Sequence, residues 1–144
     1  MTTVSRTFTV TPTPSVVLDY LKDFSNAEEW DPGTEKCTRN DSGPVQVGST
    51  WHNVSKIAGV STELTYELRE LTDDHLQFVG INETATSTDT ITVLPKDGGS
   101  EVTYEAVIEM NGAAKLATPL IKLVFEKFGS DTAEDMTTVL NKLS

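Results

Sequence analysis

Hydrophobic and polar residues alternate at the start of the chain. Over residues 3–10 the apolar side chains fall on one side of an extended backbone, and threonine and serine side chains fall on the other. A two-residue period of this kind is typical of a half-buried strand. The sequence therefore predicts that the chain begins with a β-strand.

Two short helices are expected after this strand. Pro14 suits the first position of a helix, and Thr13 is placed to cap it. Ser25 and Glu28 have the spacing of a capping box, which predicts a second small helix. The Pro-Gly pair at residues 32–33 would end that helix.

The next part of the chain, residues 34–110, is expected to form an antiparallel meander. Turn residues recur along it, and no segment keeps a helical period. The spacing of the turns predicts six strands, one of which covers residues 75–81. Together with the first strand they would make a sheet of seven.

Two predicted hairpin turns set the register of this meander. A two-residue turn at residues 58–59 sets Trp51 opposite Tyr66, and the other turn lies around residues 97–99. The second hairpin would pair Val93 with Val102, Ile91 with Tyr104, Asp89 with Ala106 and Ser87 with Ile108. Side chains predicted on the inner face of the first hairpin are Trp51, Asn53, Ser55, Thr62, Leu64, Tyr66 and Leu68.

The last stretch, residues 111–144, carries apolar residues at helical spacing and predicts one long helix. Pro119 is expected to bend it near residues 115–119, and Gly129 to loosen its middle. Between residues 116 and 128 the apolar side chains cover more than one stripe. This half of the helix therefore needs cover on several sides.

The order of these elements indicates an α+β fold. A curved antiparallel sheet of seven strands would wrap around the terminal helix, and the two short helices between strands 1 and 2 would close one end. A chain of 144 residues is the size of one domain, so residues 1–144 are expected to fold together.

Charge and hydropathy narrow the range of partners. The formal net charge is −11, which would repel nucleic acid and anionic lipid surfaces. No apolar run approaches the roughly 18 residues of a membrane span, so no stable membrane insertion is expected. The first residues lack the pattern of a secretory signal, which makes the cytoplasm the expected location. The oligomeric state is left open.

The sequence gives no sign of a metal or an organic cofactor. The two histidines, His52 and His75, stand apart without a matching acidic cluster, and the phosphate-loop and dinucleotide fingerprints are missing. Cys37 is the single cysteine, so it cannot form an internal disulfide and is expected to be a structural thiol. We therefore expect neither a metal site nor a cofactor.

Several short segments, taken in order, resemble a known superfamily. They are the opening strand with its Pro14-led helix, Trp30-Asp31-Pro32-Gly33, Val47-Gly48-Ser49-Thr50-Trp51, the segment from Gly98 to Tyr104, and Pro119. Over nearly its whole length the chain resembles the START-like, or SRPBCC, superfamily, and within it the polyketide cyclase/dehydrase and lipid-transport type of domain. Ser100 departs from the pattern, where threonine is commoner.

The resemblance implies a helix-grip fold with a cavity between the sheet and the terminal helix. The superfamily includes carriers of hydrophobic ligands, aromatic polyketide cyclases, oxygenase subunits of hydroxylases and stress-associated proteins. Membership therefore implies a fold but does not select a chemistry.

The predicted inner face mixes polar and apolar side chains, which a closed hydrocarbon core would penalise. A few polar groups in an apolar hollow are typical of a ligand pocket. The alternative is that the polar groups bond one another or ordered water, or that a bulge reverses the register. The candidate ligand-binding residues are Trp30, Trp51, Asn53, Leu64, Tyr66, Phe78, Ser87, Asp89, Tyr104, Leu120 and Val124.

Asp89 is the one candidate for acid or base chemistry. If it faces an apolar pocket, desolvation of its carboxylate would raise its pKa towards values useful for proton transfer. The strand over residues 85–94, however, carries polar residues on both faces. That pattern favours an exposed Asp89, and both states are left open.

Three functions fit these observations. The first is a protein that binds a small hydrophobic molecule, such as a lipid, a polyketide or an aromatic metabolite. The second is an enzyme, a cyclase or dehydratase of polyketide-like substrates that uses Asp89 for proton transfer. The third is a stress-response or protein-interaction module with an incidental cavity. Whether the chain is an enzyme is left open.

Overall fold

The computed structural model describes residues 1–57, 59–112 and 118–143, with the backbone alone at residues 57 and 118–121. Within these residues the strands and helices follow in the predicted order. They are β1 (Thr2–Val10), α1 (Pro14–Leu21), α2 (Ala27–Trp30), β2 (Thr34–Arg39), β3 (Thr50–Ile57), β4 (Val60–Leu71), β5 (His75–Ile81), β6 (Ala85–Lys96), β7 (Gly99–Met110) and α3 (Thr118–Leu140). A single 3₁₀ turn, Phe24–Asn26, leads into α2.

The strands form one antiparallel sheet in the order β1-β7-β6-β5-β4-β3-β2. Strands β2 to β7 are a meander of sequential neighbours, and β1 crosses over to pair with β7. Helix α3 packs along β1 and against α2. This arrangement confirms the predicted α+β helix-grip fold. Among the described residues, no helix is both long enough and apolar enough to cross a membrane.

Both predicted hairpin registers are confirmed. Trp51 is paired with Tyr66 across β3 and β4, and Asp89 is paired with Ala106 across β6 and β7. Ala58, the first residue of the predicted turn between β3 and β4, lies outside the described residues. The predicted division of faces also holds, because the side chains predicted inward on β3 are buried and their neighbours His52 and Lys56 are exposed.

The start of α1 agrees with the sequence in one respect and differs in another. Pro14 is the first residue of the helix, where its fixed φ and missing N–H cost nothing. Thr13 occupies the capping position, but its hydroxyl makes no capping hydrogen bond. Thr13 is therefore the N-cap residue, as predicted, but its side chain does not cap the helix.

The predicted capping box of the second helix is wrong. The backbone N–H of Ser25 donates to the Asp23 carboxylate at 3.0 Å, so Asp23 caps the 3₁₀ turn. The Glu28 carboxylate accepts a hydrogen bond from the backbone N–H of Cys37 at 2.7 Å. A tertiary contact to the edge strand β2 has thus replaced the local contact that the sequence pattern favoured.

Helix α3 runs through Gly129 without a break. A Cβ at this position would lie 2.5 Å from Cγ2 of Val4 on β1, so the glycine allows the helix to approach the strand closely. The predicted loosening at Gly129 is therefore wrong, and the bend predicted near residues 115–119 falls mainly on residues outside the described part. Leu123 stays 72% exposed, so the broad apolar surface of α3 is not fully covered.

An aromatic cluster centred on Phe24 fills the end of the sheet beneath α2. The Phe24 ring centroid lies 4.4 Å from that of Phe78 and 4.6 Å from that of Tyr66. Trp30 and Trp51 meet the same ring edge to face, at 6.0 and 6.2 Å. These contacts hold the 3₁₀ turn and α2 against the inner face of the sheet.

Candidate functional site

An open cleft of about 510 Å³ lies between α3 and the segment that follows α2. Its apolar wall includes Pro32, Val124 and Phe128, which are joined by the partly uncovered Leu123. Its charged rim consists of Lys56, Lys127 and Asp131, and the last two form an ion pair at 3.0 Å. The cleft adjoins Gly33, two residues after Asp31 in the chain.

Several polar side chains are buried on the inner face of the sheet, as the register predicts. One group satisfies itself: the Asn53 amide donates to Thr34 Oγ1 at 3.1 Å, and the Ser55 hydroxyl donates to Asn53 Oδ1. For Asn53 the structure therefore agrees with the alternative that polar groups bond one another. Asn53 keeps little hydrogen-bonding capacity for a ligand.

Asp89 is buried, with 4% of its surface exposed, so the favoured expectation that it would be exposed is wrong. Its pairing with Ala106 fixes it on the inner face, whatever the polarity of its neighbours along β6. The Ser87 hydroxyl donates to its Oδ1 at 3.0 Å. Within the described part of the chain, no lysine, arginine or histidine forms an ion pair with it.

The surroundings of Asp89 favour its protonated form. Burial raises the pKa of its carboxyl from 3.8 to about 7, and the charge of Asp31 adds to this, whereas the hydrogen bond from Ser87 opposes it. At neutral pH this side chain is therefore divided between a carboxylic acid and a carboxylate. The first can donate a hydrogen bond to a ligand and the second can only accept one.

Asp31 is a second carboxylate near the inner face, and sequence reasoning did not select it. Its oxygens accept hydrogen bonds from the Gly33 N–H and the Thr34 hydroxyl, both at 3.0 Å. Burial raises its pKa from 3.8 to about 6, although it is only half-buried and the two hydrogen bonds oppose the shift. The available signal was its place in the Trp30-to-Gly33 segment that carries the family resemblance.

Tyr66 and Tyr104 reach the same interior from β4 and β7. Burial and the negative charge of Asp89 raise the pKa of both phenols well above the ordinary value of 10.0. Both therefore stay neutral and can donate or accept hydrogen bonds. Their rings add apolar surface next to the carboxyl of Asp89.

Trp30 carries an unpaired donor. The side chain is fully buried, and its ring centroid lies 6.1 Å from that of Tyr104. Its Nε1–H has no hydrogen-bond partner among the described residues. A buried donor without an acceptor costs about 1–3 kcal/mol. Trp51 differs, because its indole N–H donates to Asp23 at 3.2 Å and so has a structural role.

The other predicted site residues lie in different parts of the structure. Phe78 is fully buried in the aromatic cluster, and Leu64 is half-buried on β4. Val124 lines the cleft, whereas the side chain of Leu120 lies outside the described residues. The structure thus brings Ser87, Asp89, Tyr66, Tyr104 and Trp30 to one interior, and it places Trp51 and Phe78 in the packing beneath.

A second cavity, of about 370 Å³, lies at the opposite end of β1 near the β6–β7 turn. There the Asn141 side chain accepts a hydrogen bond from the Thr11 N–H at 2.9 Å, which ties the end of α3 to the end of β1. This contact is structural. Among the residues that the structure describes, no three histidine, cysteine, aspartate or glutamate side chains converge as a metal site would need.

Comparison with protein families and solved structures agrees with this geometry. A family model described as polyketide cyclase / dehydrase and lipid transport matches residues 1–143. A comparison with curated proteins gave no significant match.

Among solved structures, the chain is similar to the ZhuI aromatase/cyclase from Streptomyces sp. R1128, with a TM-score of 0.82 and 13% identity over 97% of this chain and 93% of the other. It is also similar to a START superfamily protein from Mycobacterium smegmatis, with a TM-score of 0.80 and 12% identity over 99% of both chains. The protein TTHA0849 from Thermus thermophilus aligns with a TM-score of 0.79 and 13% identity over 94% of both chains. At these identities the likeness concerns the fold alone.

Proposed function

Because the chain belongs to the polyketide cyclase/dehydrase and lipid transport family, we propose that it binds a small hydrophobic molecule between its sheet and α3. The supporting observation is the fully buried indole N–H of Trp30, which has no partner among the described residues. In the chain, Trp30 comes two residues before Pro32, which lines the open cleft beside α3. A donor left unpaired inside a folded protein is expected where a ligand supplies the acceptor.

Binding would combine apolar burial with a few orienting hydrogen bonds. The apolar part of the ligand would lie against Val124 and the rings of Tyr66 and Tyr104, where removal from water stabilises the complex. The polar part would reach Trp30 and the carboxyl of Asp89. Trp51 and Phe78 would support this wall from beneath. The cleft beside Pro32 and Gly33 would give access from solvent.

Binding of a fluorescent apolar probe tests this proposal. N-phenylnaphthylamine is uncharged and brightens when it leaves water, so a saturable rise in its fluorescence reports an apolar site. The variant Val124→Trp should fill the cleft and weaken binding by about tenfold or more, equivalent to about 1.4 kcal/mol. Lys122→Trp, which puts the same ring on an exposed position of α3, should leave binding within about twofold of the wild type.

The proposal fails if the probe does not bind the wild-type protein saturably. It also fails if both tryptophan variants bind the probe as the wild type does. Native mass spectrometry of the protein as purified gives an independent test, because a retained apolar molecule would appear as a defined mass increment.

A second candidate function is that of a cyclase or dehydratase, and the buried Asp89 favours it. A carboxyl whose pKa is raised to about 7 can give and take a proton near neutral pH. Asp89 would then serve as general acid or base for a bound poly-β-carbonyl chain. Incubation with a short poly-β-carbonyl thioester, followed by ultraviolet absorbance of an aromatic product, tests it. Asp89→Asn should abolish turnover while it leaves probe binding intact, and turnover retained in this variant would exclude the role.

The third alternative, an interaction module, gains no support from the surface. The large hydrophobic side chains that are exposed in the described part of the chain lie on six different segments. They are Met1, Val47, Val60, Ile81, Leu94 and Leu123.

A further inference from the structure

Asp89 holds a buried carboxyl that has no charged partner among the residues that the structure describes. It is 4% exposed, its one hydrogen bond within the described residues comes from the Ser87 hydroxyl, and no cation of the described chain reaches it. Buried carboxylates are usually paired with a cation or with several N–H donors. The interior at Asp89 is therefore negative whenever this group is ionised.

Other groups that face Asp89 do not compensate this charge. Tyr66 on β4 and Tyr104 on β7 are neutral, because burial and the Asp89 charge raise their pKa values. Asp31, after α2, adds a second negative charge, and Asp135 on α3 faces Asp31 in turn.

We propose that Asp89 makes the ligand site selective by charge, so that it admits an apolar molecule with an uncharged polar group and excludes an anionic molecule of the same shape. An anion placed beside Asp89 would meet a like charge in a medium of low dielectric, where repulsion over a few ångströms is strong. A hydroxyl or amino group would instead donate to the carboxylate, and a carbonyl would accept from the carboxylic acid or from the Trp30 N–H. This inference rests on the proposed binding function and specifies its ligand class.

The charge at the mouth of the site does not reverse this selectivity. On the rim of the cleft, Lys127 is paired with Asp131, so among the described residues Lys56 is the one rim cation without an ion pair, and it is exposed to water, which screens its charge. The net charge of the whole chain is −11, so its long-range field also repels anions.

Two probes with one apolar body test the inference. Anilinonaphthalene sulfonate is N-phenylnaphthylamine with one added sulfonate, and the sulfonate stays ionised at any pH used for proteins. At about pH 8 the wild type should bind the neutral probe about tenfold tighter, or more, than the anionic one. Part of that difference in affinity reflects the size and desolvation of the sulfonate. Variants are therefore needed to measure the part that the charge of Asp89 causes.

Asp89→Asn keeps the shape and the hydrogen-bonding partner but removes the charge. It should tighten binding of the anionic probe by about fivefold or more, while the affinity for the neutral probe changes by less than about twofold. Asp73→Asn, an equal change of net charge at an exposed position, should change neither affinity by more than about twofold. Circular dichroism establishes that each variant is folded.

The wild type offers a second measurement that needs no variant. As Asp89 ionises between about pH 6 and about pH 8, the affinity for the anionic probe should fall, and the affinity for the neutral probe should stay nearly constant. Asp31 titrates about one pH unit lower, so the upper half of this range reports mainly on Asp89.

The results separate the two levels of inference. If the neutral probe binds but the anion affinity responds neither to Asp89→Asn nor to pH, the charge selectivity is refuted and the binding function stands. If neither probe binds the wild type, both fall. The inference is supported if the wild type and Asp73→Asn bind the neutral probe more tightly than the anionic one and Asp89→Asn loses this preference.

Discussion

Replacing Gly80 with alanine should destabilise the protein, because the Tyr66 ring occupies the space that a side chain would need. Gly80 on β5 is paired directly with Tyr66 on β4. A Cβ at Gly80 would lie 2.5 Å from Cζ, 2.6 Å from Cε1 and 2.7 Å from Cε2 of the ring. Carbon atoms in contact are normally about 3.5–4.0 Å apart, so the ring would have to move by roughly 1 Å.

The packing around Tyr66 sets the magnitude of the effect. The ring is 8% exposed and its centroid lies 4.6 Å from that of Phe24, so it cannot move freely. Overpacking of a close-packed interior costs about 1–3 kcal/mol. Alanine is itself better than glycine in a strand by about 0.5–1 kcal/mol. The net loss should be about 1–2 kcal/mol, which lowers Tm by about 2–8 °C in a domain of this size.

A double-mutant cycle tests both the loss of stability and its proposed cause, the contact with the Tyr66 ring. Thermal unfolding would be followed by circular dichroism for Gly80→Ala in three backgrounds: wild type, Tyr66→Leu and Tyr66→Phe. The cost should disappear in the leucine background, where the ring is gone, and persist in the phenylalanine background, where it remains. An equal cost in the leucine background, or no cost in the wild type, would refute the reasoning.

Three further predictions concern Asp89, Gly129 and Cys37. Because burial raises the pKa of Asp89 from 3.8 to about 7, its contribution to stability is present below the first value and is lost as pH rises through the second. The difference in free energy of unfolding between Asp89→Asn and the wild type should therefore shift in favour of the variant by up to about 4 kcal/mol from about pH 4 to about pH 8. Asp73→Asn should show no such shift, and thermal unfolding measures both. Gly129→Ala should cost roughly 1 kcal/mol in urea unfolding, because the contact with the stiff Val4 side chain outweighs the helical preference of alanine; a stabilised variant would contradict this. The Cys37 thiol, whose pKa is raised to about 12 by burial, should react with iodoacetamide only as fast as the protein unfolds, and rapid labelling of the folded protein would disprove it.

The fold could be predicted from the sequence because local signals fix most of it. Short turns leave few choices of register, and the register in turn assigns each side chain to a face. The turn around residues 97–99 alone determines that Asp89 faces inward. The contrary expectation came from the polarity of both faces of β6, which is a weaker guide than the register, because the inner face of this sheet also buries polar side chains such as Asn53 and Ser55.

Contacts between distant segments could not be predicted in the same way. The carboxylate of Glu28 could satisfy its own helix or another strand, and only the packed structure shows that it reaches Cys37. The proximity of Asp31 to Asp89 likewise depends on how α2 folds over the sheet. Gly80 gives no sequence signal of its role, since the strand that carries it pairs with β4 through a shift in register between Leu68 and Glu70.

Asp89 is an energetically unfavourable residue in the folded protein at neutral pH. Its carboxyl opposes folding at neutral pH, because the ionised form loses its hydration and gains one hydrogen bond from Ser87. An uncharged side chain of similar shape would pack as well and would remove this cost. The N–H of Trp30, which has no partner within the described part of the chain, carries a smaller penalty of the same kind. Two such penalties in one interior are what the proposed ligand site would show if its polar groups find their partners on a bound ligand.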